Sequence, residues 1–154
     1  MSVTRVSRHL KASRAIVYRA LIDAEQVARW KVPTGMTCQV HTFDGRAGGT
    51  FRISLTYHAP DRVGKTTAHT DTYHGRFVAL VPDELVVEVD EFETADPALR
   101  GEMTITITLA DADGGTNLVA VHDGLPAGVS LTDNEAGWRE ALARLAALVE
   151  TSPA

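Results

Sequence analysis

Residues 133–150, DNEAGWREALARLAALVE, are the stretch whose reading decides the fold. At ~100° per residue, Trp138, Leu142, Leu145 and Val149 fall along one line, with Ala141, Ala146 and Leu148 beside it. Arg139, Glu140, Arg144 and Glu150 occupy the remaining arc. The pattern predicts an amphipathic helix. Its start is marked by Thr132 as N-cap with Glu135 three residues on, a capping box, and by the negative charge of Asp133 in the first turn. An apolar stripe this wide must be covered. Residues 36–124 read as strand after strand, so the cover is a sheet, and the space between helix and sheet is where a ligand site belongs.

Working outward from that helix, residues 3–10 read as a short edge strand. Ser13 caps a helix over 14–22 with Ile16, Val17, Ala20 and Leu21 on one face. Asp23 caps a second short helix that ends at Trp30, before Pro33 and Gly35. Strands are expected over 38–43, 50–57, 66–81, 84–92, 102–110 and 116–123, joined by turns such as Pro82-Asp83 and Asp113-Gly114-Gly115. Gly75 inside the third of these predicts a bulge or a point of curvature. Hairpin connections make the sheet antiparallel, and one amphipathic helix on its apolar face makes the architecture α+β.

Composition narrows the function classes. A chain of 154 residues is expected to be a single domain, here over 1–150, with 151–154 a frayed tail. The net charge of −5 and the absence of a Lys/Arg run argue against a nucleic-acid groove or an anionic membrane surface as the main partner. No apolar run approaches the ~18 residues a membrane span needs. The single cysteine, Cys38, excludes an internal disulfide and fits a cytoplasmic protein, with a small buried hydrophobe at a strand start as its role.

Several segments, in this order and spacing, resemble the helix-grip fold of the START-related (SRPBCC) superfamily. More closely, the chain is similar to the bacterial branch named after the activator of heat-shock protein 90 ATPase homologue. The segments are SRAIVYRALIDAEQVARW at 13–30, GMTCQVHTFDGRAGGTFRISLTY at 35–57, YHGRFVALVPDELVV at 73–87, GEMTITITL at 101–109, GGTNLVAVHDGLPAG at 114–128 and DNEAGWREALARL at 133–145. The resemblance implies a sheet curled around the C-terminal helix, two short helices closing one mouth, and an apolar cavity between. It implies architecture more than chemistry.

Alternation and helical phase nominate the lining of that cavity: Phe51, Ile53, Leu55, Val87, Val89, Ile105, Ile107, Leu118, Ala120, His122, Trp138 and Leu142. His122 shares the phase of Leu118 and Ala120, and reads either as a hydrogen-bonded structural histidine or as a polar group at the cavity mouth. Gly137, beside Trp138, either admits close helix–sheet contact or leaves space for a ligand. Glu88 and Asp90 lie opposite Val87 and Val89 in phase; with Glu91 they read as a solvated strand face, paired acid–base carboxylates being the alternative. Arg52 and Arg76, mid-strand, read as outer-face residues or as anchors for a ligand carboxylate. Trp30 and Tyr18 are core or part of a lid.

His69, Asp71 and His74 invite a metal reading, but alternation sends His74 to the other face, His41 and His58 are distant in sequence, and no metal site is assigned. Gly64-Lys65-Thr66 lacks the upstream glycine spacing of a P-loop, and neither a nucleophile elbow nor a dinucleotide fingerprint is present, so no cofactor is implied. The expected function is binding of a small hydrophobic or amphipathic ligand. The alternatives are a cyclase/aromatase-like or hydrolase-like enzyme using the same cavity, which the superfamily resemblance suggests, and a co-chaperone-like module acting on a heat-shock protein 90-type ATPase, which the branch's name suggests. The edge strands leave a homodimer open.

Overall fold

The computed structural model describes residues 2–58 and 69–150, so the beginning of the strand expected from residue 66 lies outside the described residues. The elements run β1 (Val3–Leu10), α1 (Arg14–Ile22), α2 (Ala24–Trp30), β2 (Met36–Phe43), β3 (Thr50–Tyr57), β4 (Thr70–Val81), β5 (Leu85–Phe92), β6 (Met103–Ala112), β7 (Gly115–Asp123) and α3 (Leu131–Glu150). The described strands form one curled antiparallel sheet in the order β1-β7-β6-β5-β4-β3-β2, so β1 crosses to the far side while the others follow as hairpins. This is the α+β helix-grip arrangement. No helix among the described residues is long and apolar enough to cross a membrane.

Local chemistry accounts for the elements. The Ser13 side chain accepts from the Ile16 N–H, so α1 starts where a cap was expected. At α3 the cap is Ser130, not Thr132: Ser130 Oγ accepts from the Asp133 N–H at 3.2 Å, and the helix begins two residues earlier than the capping-box pattern predicts. The stripe of α3 is buried as expected through Trp138, Leu142, Leu145 and Val149, and α3 packs against β1, α2 and α1. Below it lie Leu10, Ile107, Leu109 and Leu118. Each such aliphatic side chain fully removed from water contributes about 1.5–3 kcal/mol. Gly137 faces the α2–β2 linker, where only Pro33 Cγ would come within 4 Å of an added Cβ, at 3.9 Å.

Two register features aim the interior side chains. β4 is bulged between Phe77 and Ala79, not at Gly75, which pairs regularly with Phe51 on one side and Asp90 on the other. The phase of β5 is the opposite of the expected one. Val86, Glu88 and Asp90 are buried, whereas Val87 and Val89 are only half-buried on the outer phase. Glu88 stands between Phe77 of β4 and Ile105 of β6, and Asp90 between Gly75 and Met103. Both carboxylates therefore enter the concave face. The reading of Glu88 and Asp90 as a solvated face, with Val87 and Val89 as cavity lining, is overturned by this register.

Candidate functional site

The concave face has two chemically distinct ends. Toward the C-terminus of α3 it is aliphatic. Toward the N-terminus of α3 and the end of α2 it holds Lys31, Tyr73, Glu88, Asp90 and His122, each carried by a different piece of backbone apart from the two acids of β5. Lys31 follows the last turn of α2, and Trp30 before it is locked in the core by Nε1–H donating to Ala20 O at 2.8 Å. That anchor points the lysine stem inward.

Lys31 Nζ donates to both carboxylate oxygens of Glu88, at 3.0 Å each, and stands 5.7 Å and 5.8 Å from the ring centroids of Phe51 and Tyr73. Glu88 is only 4 % exposed and Asp90 3 %. The two carboxyl groups share a hydrogen bond. Among the described residues Asp90 Oδ1 has no hydrogen-bond partner.

Burial and neighbouring charge pull these groups apart. Burial opposes the Lys31 ammonium, but Glu88, with Tyr73 and Asp90, outweighs it and holds the amine charged. Burial raises Glu88, yet Lys31 and the Asp90 hydrogen bond bring it below the usual carboxylate range. Asp90 is raised well above that range by burial and by Glu88, so it keeps the proton and donates it to Glu88. Burial raises the Tyr73 phenol. The arrangement is a charged Lys–Glu pair beside a protonated acid.

His122 sits at the margin of this cluster. Trp138 Nε1–H donates to His122 Nδ1 at 3.0 Å, with Asn134 Nδ2 at 3.3 Å from the same atom. The ring proton is thereby placed on Nε2, which is 3.2 Å from Met103 Sδ. Burial, then Lys31, lowers its pKa to about 4, against the opposing pull of Glu88 and Asp123. His122 is a neutral, hydrogen-bonded histidine that faces inward.

The other nominated residues fall as follows. Phe51, Ile53, Ile105, Ile107, Leu118, Ala120, Trp138 and Leu142 are buried, and Leu55 is half-buried against the same core. Arg52 lies outside, holding Glu93 at 2.8 Å and 2.9 Å, and Arg76 outside, on Glu102 at 3.0 Å. His74 is exposed and contacts Glu93 at 3.2 Å, whereas Asp71 is buried on the opposite phase of β4. His41 and His58 contact Ser54 and Thr37 at 2.8 Å and 2.7 Å. Among the described residues no three His, Cys, Asp or Glu side chains converge as a metal site would require.

Sequence reasoning missed Lys31 and Tyr73 and placed Glu88 and Asp90 outside. One signal was available: Val86 and Phe92 share the phase of the two acids, so either phase of β5 carries apolar weight. A separate open groove of about 720 Å³, lined by Lys11, Ser13, Ile16, Asp111, Gly115 and Val149, lies at the other end of β7. Seven residues of strand, ~23 Å, separate Gly115 from His122, and the cluster of ionisable groups is not part of that groove.

The family described as activator of Hsp90 ATPase homolog 1-like protein matches residues 11–150. No curated protein gives a significant match. Among solved structures, protein CV1439 from Chromobacterium violaceum is 34% identical with a TM-score of 0.87, over 98% of this chain and 99% of that one. A protein from Rhodobacter sphaeroides (19% identity, TM-score 0.76, 99% and 95% covered) and protein Ms6760 from Mycobacterium smegmatis (18%, 0.75, 99% and 93%) share the fold.

Proposed function

This chain belongs to the activator of Hsp90 ATPase homolog 1-like family, and from that premise and the buried cluster we propose that it binds a small amphipathic molecule between the curled sheet and α3. The apolar body of the ligand packs on Phe51, Ile53, Ile105 and Trp138; its polar group meets Lys31, Tyr73, Glu88 and Asp90. The observation that carries this reading is the burial of Glu88 and Asp90 where aliphatic side chains would serve stability as well or better. The ligand in this reading is held by an apolar wall and oriented by a few convergent polar groups.

The test is a titration of the purified protein with 1-anilinonaphthalene-8-sulfonate and with alkyl and aromatic amphiphiles, followed by fluorescence. Saturable binding at one site per chain is expected, and the Lys31→Met/Glu88→Leu/Asp90→Leu variant shifts preference toward purely apolar probes. Absence of saturable binding, or the same preference in the triple variant, refutes the reading.

A second reading, an enzyme of cyclase/aromatase or hydrolase type, draws on one specific feature. Two neighbouring carboxyl groups with proton affinities driven in opposite directions supply an acid and a base in one place. Its test is hydrogen–deuterium exchange at the α-carbon of an added aryl ketone in deuterated buffer. Acceleration by the protein that Asp90→Asn abolishes supports turnover; exchange at the buffer rate excludes it for that substrate class.

A further inference from the structure

The polar end of the concave face is unbalanced in a definite sense. Glu88 and Asp90 are two carboxyl groups inside the fold, and among the described residues Lys31 is the one ammonium that reaches them. Lys31 is already engaged with both Glu88 oxygens. An anion seeking Lys31 would have to displace Glu88 and leave a buried carboxylate without a counter-charge, which is strongly unfavourable. Among the described residues the buried side-chain group without a partner is an acceptor, Asp90 Oδ1. What would satisfy it is a hydrogen-bond donor, and one that carries positive charge would let both carboxylates ionise with two cations between them.

The surroundings are suited to such a guest. The faces of Phe51 and Tyr73 already accept one ammonium, that of Lys31, at 5.7 Å and 5.8 Å. His122 is neutral and adds no competing positive charge, and the Tyr73 phenol stays un-ionised. Backbone has been given over to placing Asp90 there. A Cβ on Gly75 would stand 2.7 Å from Asp90 Oδ1 and 2.6 Å from Phe51 Cζ, and would also strike Val89 O. Only glycine on β4 lets the acid lie inward.

We propose that the buried cluster of Lys31, Tyr73, Glu88 and Asp90 receives a cationic nitrogen donor, a primary ammonium or its equivalent, so that the amphipathic ligand of this protein is an amine. This rests on the reading of the concave face as a ligand site, and specifies the head group it takes. Binding of the ammonium places N–H donors on Asp90 Oδ1 and expels the Asp90 proton to solvent, leaving two carboxylates shared by two cations.

The experiment compares n-octylamine, n-octanol and n-octanoate at about pH 7, followed by the fluorescence of Trp30 and Trp138. These share one chain and differ only in the head group. Octylamine is expected to bind about tenfold or more tightly than the other two, the worth of one buried charge-assisted hydrogen bond. Asp90→Asn and Glu88→Gln abolish the preference, bringing octylamine and octanol to within about twofold of each other. Glu91→Gln, which removes the same charge from an outer-facing position on β5, leaves the preference intact and so excludes general attraction of a cation to an acidic chain. Equal binding of all three, or preference for octanoate, overturns the amine assignment while the ligand site stands. No saturable binding of any of the three overturns both. If the interior variants fail to fold, the order of head groups in the unaltered protein decides alone.

Discussion

The two ends of the concave face share one helix and one sheet, yet they are built on different principles. At the C-terminal half of α3, Leu142, Leu145 and Val149 join Leu10, Leu109 and Leu118 in one apolar cluster. At its N-terminal half, Trp138 and Asn134 hydrogen-bond His122, and beyond them lie Lys31, Glu88 and Asp90. The aliphatic end tolerates no loss of volume because packed interiors cannot refill a gap. The ionic end is held by compensation, in which each buried charge is tolerable only while its partner remains. One end makes the fold stable. The other is the end proposed to meet the polar group of a ligand.

That contrast breaks most visibly when compensation is removed. Lys31→Met leaves Glu88 buried beside Asp90 with no cation, and is expected to cost about 3–5 kcal/mol in urea unfolding. Replacing Glu88 and Asp90 by leucine in the same chain restores stability to at least the original level, since apolar packing of similar volume is no worse than a buried ion pair. At the aliphatic end Leu145→Ala should cost about 2–5 kcal/mol through lost transfer energy and the cavity left behind. No second substitution of charge can repair it. If the triple variant stays as weak as Lys31→Met, the ionic end carries packing as well as charge, and the contrast fails.

Acid should act most strongly on the ionic end. His122 has a pKa lowered from 6.5 to about 4 by burial and by Lys31, against Glu88 and Asp123. A folded-state pKa below the unfolded value means that the unfolded chain takes up the proton first. The stability is therefore complete above about pH 6.5 and lost as pH falls toward 4, by about 3 kcal/mol at ~1.36 kcal/mol per unit. Glu88, also lowered in the folded state, contributes a further loss that begins near its unfolded value and continues below it. Asp90, raised in the folded state by burial and by Glu88, works in the opposite sense, stabilising the fold as pH falls toward its unfolded value and offsetting the His122 loss. The His122 contribution is therefore read as the difference between the unaltered protein and His122→Gln in equilibrium unfolding from pH 7 to 4, and an identical pH dependence in the two would assign the acid sensitivity elsewhere.

How far the sequence could be read follows the same division. The aliphatic end was legible because its signal is periodic: Trp138, Leu142, Leu145 and Val149 at helical spacing, and Ile105 and Ile107 at strand spacing, are buried as expected. The ionic end was not, because its logic is spread across the chain. In residues 85–92, LVVEVDEF, alternation alone offers Leu85, Val87 and Val89 on one phase, and Val86 and Phe92 with two acids on the other. Desolvation argues for the first choice unless a cation waits inside, and that cation, Lys31, lies 57 residues from Glu88. No local pattern conveys it. His122 lies inward because it shares the phase of Leu118 and Ala120.

The smallest effect sharpens the comparison within α3 itself. The helix is capped at the ionic end by Ser130, whose Oγ accepts from the Asp133 N–H, while Thr132 lies inside the helix and exposed. Ser130→Ala should cost about 1 kcal/mol and Thr132→Ala well under that, measured as shifts in the urea midpoint at unchanged slope. Amide hydrogen exchange then locates the loss. The first turn frays in Ser130→Ala, and with it goes the position of Asn134, which links Thr4 to His122 by hydrogen bonds of 2.6 Å and 3.3 Å. Protection of residues 142–149 is unaffected, because their burial against β1 does not pass through the cap. Equal loss along the whole helix would mean that α3 opens as a unit, and that its two ends, chemically different as they are, do not differ in dynamics.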